Sequence, residues 1–124
     1  MTPDELRSRT KAFALRIVKS YRSLPRTADA QVIGKQLLRC GTSVAANYRA
    51  ACRARSRAEF AARIEVVVEE ADESGFWLER LGDAEIVRAS LLNGLVEESR
   101  ELTAIFTATQ QTVRNSRRRV EITS

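Results

Sequence analysis

Between Gln36 and Phe60 the chain reads QLLRCGTSVAANYRAACRARSRAEF, a run that couples a small-residue helix surface to an arginine cluster and then to a helix start. Gly41, Thr42, Ser43, Ala45 and Ala46 leave little side-chain bulk on one helix, so a neighbouring element can approach closely. Glycine inside a helix costs about 1 kcal/mol relative to alanine, so Gly41 predicts a local bend or another backbone packed against it. Ser56 and Glu59 have the spacing of a capping box and predict a new helix directly after the arginines.

The same punctuation divides the rest of the chain. Thr2, Pro3 and Glu5 form a helix-start signature, and Leu6, Phe13, Ile17, Tyr21 and Leu24 repeat at helical spacing before Pro25 stops the run. A second helix is expected from Thr27–Asp29 to about Ala54, with Ile33, Leu37, Cys40, Val44, Tyr48 and Ala51 inward. A third carries Phe60, Ile64, Val67, Ala71, Leu78 and Leu81 and ends at Gly82. Asp83 is then expected to cap a fourth, with Leu92, Leu95, Leu102, Phe106 and Val113 inward, ending near Asn115.

Only five glycines and two prolines interrupt 124 residues, which favours helix throughout. Long helices joined by short connections predict an all-α, antiparallel up-down-up-down four-helix bundle over residues 1–115. The aperiodic basic stretch 116–124 is expected to be a disordered tail. Leu15, Val18, Val32, Val66, Val68, Phe76, Trp77, Leu91, Val96 and Ile105 fall outside the inward stripes. A lone bundle has no need of them all.

Chemistry is constrained by what is missing. The chain has no histidine, which removes the usual neutral-pH acid and base and the commonest nitrogen metal ligand. Glu65, Glu69, Asp72 and Glu73 read as a solvated acidic face, since the Glu-x-x-His motifs of di-metal bundles are absent. Lys35, Thr42 and Ser43 have no catalytic spacing, and the scattered glycines build no phosphate loop. The expectation is a protein that is not an enzyme and needs no metal or cofactor. Cys40 and Cys52, roughly 18 Å apart if on one helix, are too distant to bridge, which fits a reducing compartment. The N-terminus has no apolar core for a signal peptide and no apolar run is long enough for a membrane span, so the cytoplasm is the expected location.

The net charge of +5 hides a sharp division. Residues 1–63 carry +10 (14 Lys+Arg against 4 Asp+Glu), residues 64–113 carry −8 (3 against 11), and residues 114–124 carry +3 (4 against 1). Arg49, Arg53, Arg55, Arg57 and Arg63 surround one interhelical turn with only Glu59 to offset them. One reading is a surface for nucleic-acid phosphates, to which Arg117, Arg118 and Arg119, with Arg114, add an electrostatic arm. The other is pairing with the acidic third and fourth helices, within the chain or between subunits. Arg49, Arg53 and Arg55 also complement a helix C-terminus, but Arg57, in the first turn of the next helix, does not. Few aromatics are free to stack on bases, so any nucleic acid would be held by backbone and shape.

The chain resembles a bacterial four-helix-bundle family that includes the ribosomal-RNA intervening-sequence proteins and the accessory variability proteins of diversity-generating retroelements. The likeness runs from Lys19–Leu24 through Leu81. It is most specific at Gln36, Leu37, Arg39, Ser43, Ala46, Asn47, Tyr48, Arg49, Ser56, Glu59 and Phe60, and the segment ADESGFWLERL at 71–81 is similar to the family's third-helix ending. Many members have Ser-Ile-Pro-Ala-Asn followed by an acidic residue and glycine. Here Ser43-Val44-Ala45-Ala46-Asn47 is followed by Tyr48-Arg49-Ala50. The resemblance implies a ring-like homopentamer and, in the retroelement branch, association with a reverse transcriptase and nucleic acid. Ser43 and Asn47 themselves read as buried polar groups that satisfy helix-to-helix hydrogen bonds.

Overall fold

Thr2 opens the first helix in the expected way: the Glu5 backbone N–H donates to its Oγ1 at 3.1 Å, with Pro3 at the first helical position. The computed structural model describes residues 1–123, with side chains through residue 116. The described residues form four helices, α1 Pro3–Arg22, α2 Ala28–Cys52, α3 Arg57–Asp83 and α4 Ala89–Thr123. No helix among them is long and apolar enough to cross a membrane.

The predicted stripes form the core. Phe13 and Ile17 of α1, Leu37, Cys40 and Val44 of α2, Ile64, Val67, Leu78 and Leu81 of α3, and Leu102 and Phe106 of α4 are almost wholly buried. Each large apolar side chain removed from water in this way contributes about 1.5–3 kcal/mol. Tyr48 and Phe106 pack ring to ring at 5.0 Å between centroids, fastening α2 to α4. Tyr21, Ile33, Phe60 and Val113 sit at the margin, half-buried rather than inward. Thr10, Ser74 and Ser99 are buried polar residues that the apolar pattern passes over. Their hydroxyls donate to the carbonyls of Leu6, Glu70 and Val96 at 2.7–2.9 Å, so none is left unpaired.

Close helix approach depends on glycine. A Cβ on Gly41 would lie 2.8 Å from Ile17 Cγ1, and one on Gly34 would lie 2.5 Å from Leu24 Cδ1. A Cβ on Gly75 would lie 2.8 Å from Ser99 Oγ. At Gly41 the helix stays regular and the close neighbour is the side chain of Ile17, where the sequence predicted a bend or a backbone. Along the seams the partners count in opposite directions: Gly34 meets Leu24 and Gly41 meets Ile17, while Gly75 meets Ser99 and Gly82 meets Leu92. α1 packs on α2, α2 on α3 and α3 on α4, whereas α1 and α4 touch only slightly. Across that weak seam Arg9 forks onto Glu98, with Nε to Oε2 at 2.8 Å and Nη2 to Oε1 at 2.6 Å.

Two boundaries differ from expectation. Asp83 does not cap α4; it is the last residue of α3, its carboxylate 3.0 Å from Arg80 Nε. The chain reverses two residues later at Glu85, whose φ of 58° is left-handed, and the Ile86 and Val87 N–H groups donate to the Leu81 carbonyl at 3.0 and 3.2 Å. Such a C-terminal motif usually uses glycine, so Gly82 gave the wrong position. At the other end α4 continues past Asn115 to Thr123, through most of the stretch expected as a disordered tail. After Gly94 this helix meets neither glycine nor proline, and arginine and glutamate are good helix formers.

Of the surplus apolar residues, Val18, Val66, Val68, Trp77, Val96 and Ile105 are half-buried, whereas Leu15, Val32, Phe76 and Leu91 are exposed. Arg80 lies over the Phe76 ring at 4.6 Å, and Trp77 meets that ring edge-on at 4.9 Å.

Candidate nucleic-acid interface

α2 ends where its arginines begin to crowd. Arg53 is the C-cap, and its N–H and that of Ala54 donate to the carbonyls of Ala50 and Ala51 at 3.1 Å. Ser56 then caps α3, accepting from the Glu59 N–H at 3.1 Å. The return arm of this capping box reaches one residue further than usual, because Glu59 Oε2 accepts the Arg55 N–H at 3.0 Å. The one acidic side chain of the turn is thus engaged by backbone. Among the described residues, no carboxylate lies within ion-pair distance of the Arg49, Arg53, Arg55, Arg57 or Arg63 guanidiniums.

The structure adds two cations that sequence spacing could not associate with this cluster. Arg7 and Lys11, one turn apart on α1, face Arg49 and Arg53, one turn apart on α2, across a groove of about 470 Å³. Thr10, Ala45, Ala46 and Cys52 complete its lining. Arg7 also pairs with Asp4 in its own helix. A second depression of about 380 Å³ uses Ala46, Arg49 and Arg53 again and extends to Arg55 and Glu59. The two share a rim, so Arg7, Lys11, Arg49, Arg53 and Arg55 form one basic surface with small residues between them. Neither depression is lined by an aromatic ring.

The remaining candidates do not line either depression. Arg57 lines a separate groove of about 480 Å³ between α3 and α4 with Ala58, Ala61, Ala62 and Arg114. Arg63 crosses from α3 to α2, donating from Nη1 to Asn47 Oδ1 at 3.2 Å. Asn47 Nδ2 donates in turn to the Ser43 carbonyl at 3.0 Å and to Ser43 Oγ at 2.8 Å. Only one of these bonds joins two helices, and both residues are half-buried rather than fully enclosed. Arg117, Arg118 and Arg119 lie beyond the described side chains.

Behind the groove, burial and then the neighbouring Cys52 push the Tyr48 hydroxyl up to about 12, with Arg7 acting in the opposite sense. Cys40 and Cys52 are both free thiols. Cys40 is buried, which pushes its thiol up, and Ser74 Oγ lies 3.3 Å from it.

Pairing with the acidic helices is carried by other arginines. Arg9 takes Glu98 and Glu101, Arg39 takes Glu70 and Glu73, and Arg80 and Arg100 take Glu79. Glu73 also accepts from Trp77 Nε1 at 2.9 Å. Of the carboxylates considered for a metal, Glu65, Glu69 and Asp72 are exposed. Among the described residues no three His, Cys, Asp or Glu side chains are grouped as a metal ion requires.

Comparison with known proteins gives a consistent result. A crystal structure from Bacteroides thetaiotaomicron VPI-5482, described as a protein of unknown function from the S23 ribosomal protein family, is 32% identical with a TM-score of 0.83. The match covers 90% of this chain and 99% of that one. No curated protein matches the chain. The family described as 23S rRNA-intervening sequence protein matches residues 5–108, which takes in most of α1, all of α2 and α3, the arginine turn and the first part of α4. With that span matched, this chain belongs to the 23S rRNA-intervening sequence protein family.

Proposed function

We propose that this protein is a non-enzymatic binding protein of the cytoplasm that holds the phosphate backbone of RNA or DNA on the basic surface formed by Arg7, Lys11, Arg49, Arg53 and Arg55. The observation that carries the reading is the convergence of cations from α1 and α2 on one groove, while Arg49 and Arg53 have no carboxylate partner among the described residues. Guanidiniums without internal partners keep their charge available to phosphate oxygens. Arg63 adds positive charge next to the second depression, one turn along α3 from Glu59.

The falling order of partners along each seam supports an antiparallel up-down-up-down bundle. Exposed Leu15, Val32, Phe76 and Leu91 leave apolar surface for a second copy to cover. The ring-like homopentamer implied by the family resemblance is the assembly we propose. Those same residues favour a second reading, in which the protein is an assembly or protein-binding module and the arginines meet the acidic faces of neighbouring copies.

One experiment separates the two. The purified protein and its Arg49→Ala/Arg53→Ala/Arg57→Ala variant are titrated with an RNA hairpin, single-stranded DNA and duplex DNA across a salt series, and their masses in solution are measured in parallel. Under the first reading the oligomer persists, affinity falls and the log–log salt slope shrinks by about 0.7–0.9 for each phosphate that is no longer neutralised. Dissociation of the oligomer assigns the arginines to subunit pairing. An unchanged mass with unchanged binding removes both roles from the cluster.

A further inference from the structure

We infer that Asn47 is a positioning residue, which fixes Arg63 as an oriented cation beside the basic surface without cancelling its charge. The inference rests on the nucleic-acid reading and adds to it a reason for the chain of hydrogen bonds from Ser43 through Asn47 to Arg63.

The geometry selects one orientation of the amide. Asn47 Nδ2 faces two acceptors, the Ser43 carbonyl and Oγ, at 3.0 and 2.8 Å. Oδ1 is thereby turned toward α3, where it accepts from Arg63 Nη1 at 3.2 Å. The opposite flip would set an amide N–H₂ against a guanidinium and an oxygen against a carbonyl, breaking the bonds to Arg63 and to the Ser43 carbonyl, while the Ser43 hydroxyl can donate or accept and so serves either orientation. The Ser43 carbonyl therefore decides which Asn47 atom meets Arg63.

The choice of an amide matters because other interhelical arginines are held differently. Arg9 and Arg39 each meet two carboxylates, which fix the guanidinium and also neutralise it. Asn47 fixes Arg63 through a neutral acceptor. One of five guanidinium N–H donors is used, and the rest, with the full positive charge, remain for an outside anion. Arg63 is exposed, and it lies one turn along α3 from Glu59, which lines the depression shared by Arg49, Arg53 and Arg55. A held arginine loses less side-chain freedom on meeting a phosphate than a free one does.

The test is a mutant cycle in the full-length protein, using the same RNA hairpin and single-stranded DNA over a salt series. Arg63→Ala should weaken binding several-fold and reduce the salt slope by about 0.7–0.9. Asn47→Ala should weaken binding about threefold with the slope kept, because the charge remains and only its placement is disturbed. The double variant should bind no more weakly than Arg63→Ala alone. Asn47→Asp, which keeps an acceptor and adds a negative charge, should reduce the slope as Arg63→Ala does. Should Asn47→Ala fail to fold, Asn47→Ser, which shortens the side chain so that it no longer reaches Arg63 and keeps a polar group at the site, takes its place in the cycle. Losses that multiply in the double variant, or an Asn47→Asp slope equal to that of the parent, overturn the inference and leave the nucleic-acid reading in place. Unchanged binding by Arg49→Ala/Arg53→Ala would remove that reading and this inference with it.

Discussion

The α1–α2 half and the α3–α4 half use the same two devices, arginine and glycine, for different ends. On α3 and α4 the acidic residues outnumber the basic ones, and arginines from several helices are spent on them: Arg9 on Glu98 and Arg39 on Glu70 and Glu73. At the α1–α2 groove the arginines face one another across small side chains, and Arg49 and Arg53 meet no acid among the described residues. The seams differ as well. Gly41 is pressed by a buried, β-branched Ile17, whereas Gly75 is approached by one serine hydroxyl. Arginine density alone therefore says little about role, and the partner of each guanidinium says most of it.

Reversing the sign at the groove gives the largest expected effect. Arg49→Glu/Arg53→Glu should lower RNA affinity at low salt by roughly 100-fold or more, since two attractions become repulsions. The thermal midpoint should stay within a few degrees, because exposed charges contribute little to stability. A large drop in midpoint would mean that these arginines hold the fold together, and the contrast between the halves would collapse.

Arg9→Ala should show the reverse pattern. It leaves Glu98, only 16% exposed at its side chain, without its forked partner, which costs about 1–2 kcal/mol in urea unfolding. Nucleic-acid affinity should not change. A parallel loss of affinity would instead make the α1–α4 seam part of the binding surface.

Gly41→Ala gains about 1 kcal/mol of helix propensity and forces a methyl against Ile17, an overpacking that typically costs about 1–3 kcal/mol. The balance should be destabilising by roughly 1 kcal/mol. Gly75→Ala gains the same propensity but turns Ser99 Oγ from its bond to the Val96 carbonyl, a loss of about 1 kcal/mol, so the sum should be close to neutral. Equal behaviour of the two variants in urea titrations would show that the seams are equally tight.

The smallest effect is confined to alkaline pH. Tyr48 has a hydroxyl pushed from an ordinary value near 10 up to about 12 by burial and Cys52. The folded state therefore keeps a proton that the unfolded chain gives up, so this stabilisation is complete below pH 10 and is lost as pH rises to about 12. Thermal midpoints of Tyr48→Phe should decline less over that window than those of the parent. Identical declines would assign alkaline unfolding to other groups.

Much of this architecture was legible because local chemistry and global packing agree. Thr2 with Glu5, Pro25, and Ser56 with Glu59 mark helix ends that the structure keeps, and the inward stripes define the core apart from its half-buried margins. The α3–α4 boundary was not legible. The left-handed position that reverses the chain is occupied by Glu85, a residue type that carries no such signal. The candidate site was legible in part. Arg49, Arg53 and Arg55 could be grouped along the chain, but Arg7 and Lys11 join them only through the packing of α1 on α2, and Arg57 turns to another groove. Nor could spacing reveal that the Asn47 amide oxygen accepts from Arg63 of α3.

The close approach of Gly41 and Ile17 has a consequence for how this protein can change over generations. A methyl acquired at position 41 is unwelcome while Ile17 keeps both γ-carbons, and shortening Ile17 alone opens a void beside a bare glycine. Each substitution is a step downhill by itself, and together they restore the fit. The two positions, separated by the whole first turn of the chain, are thus expected to vary as one character, so that helices α1 and α2 inherit their register jointly.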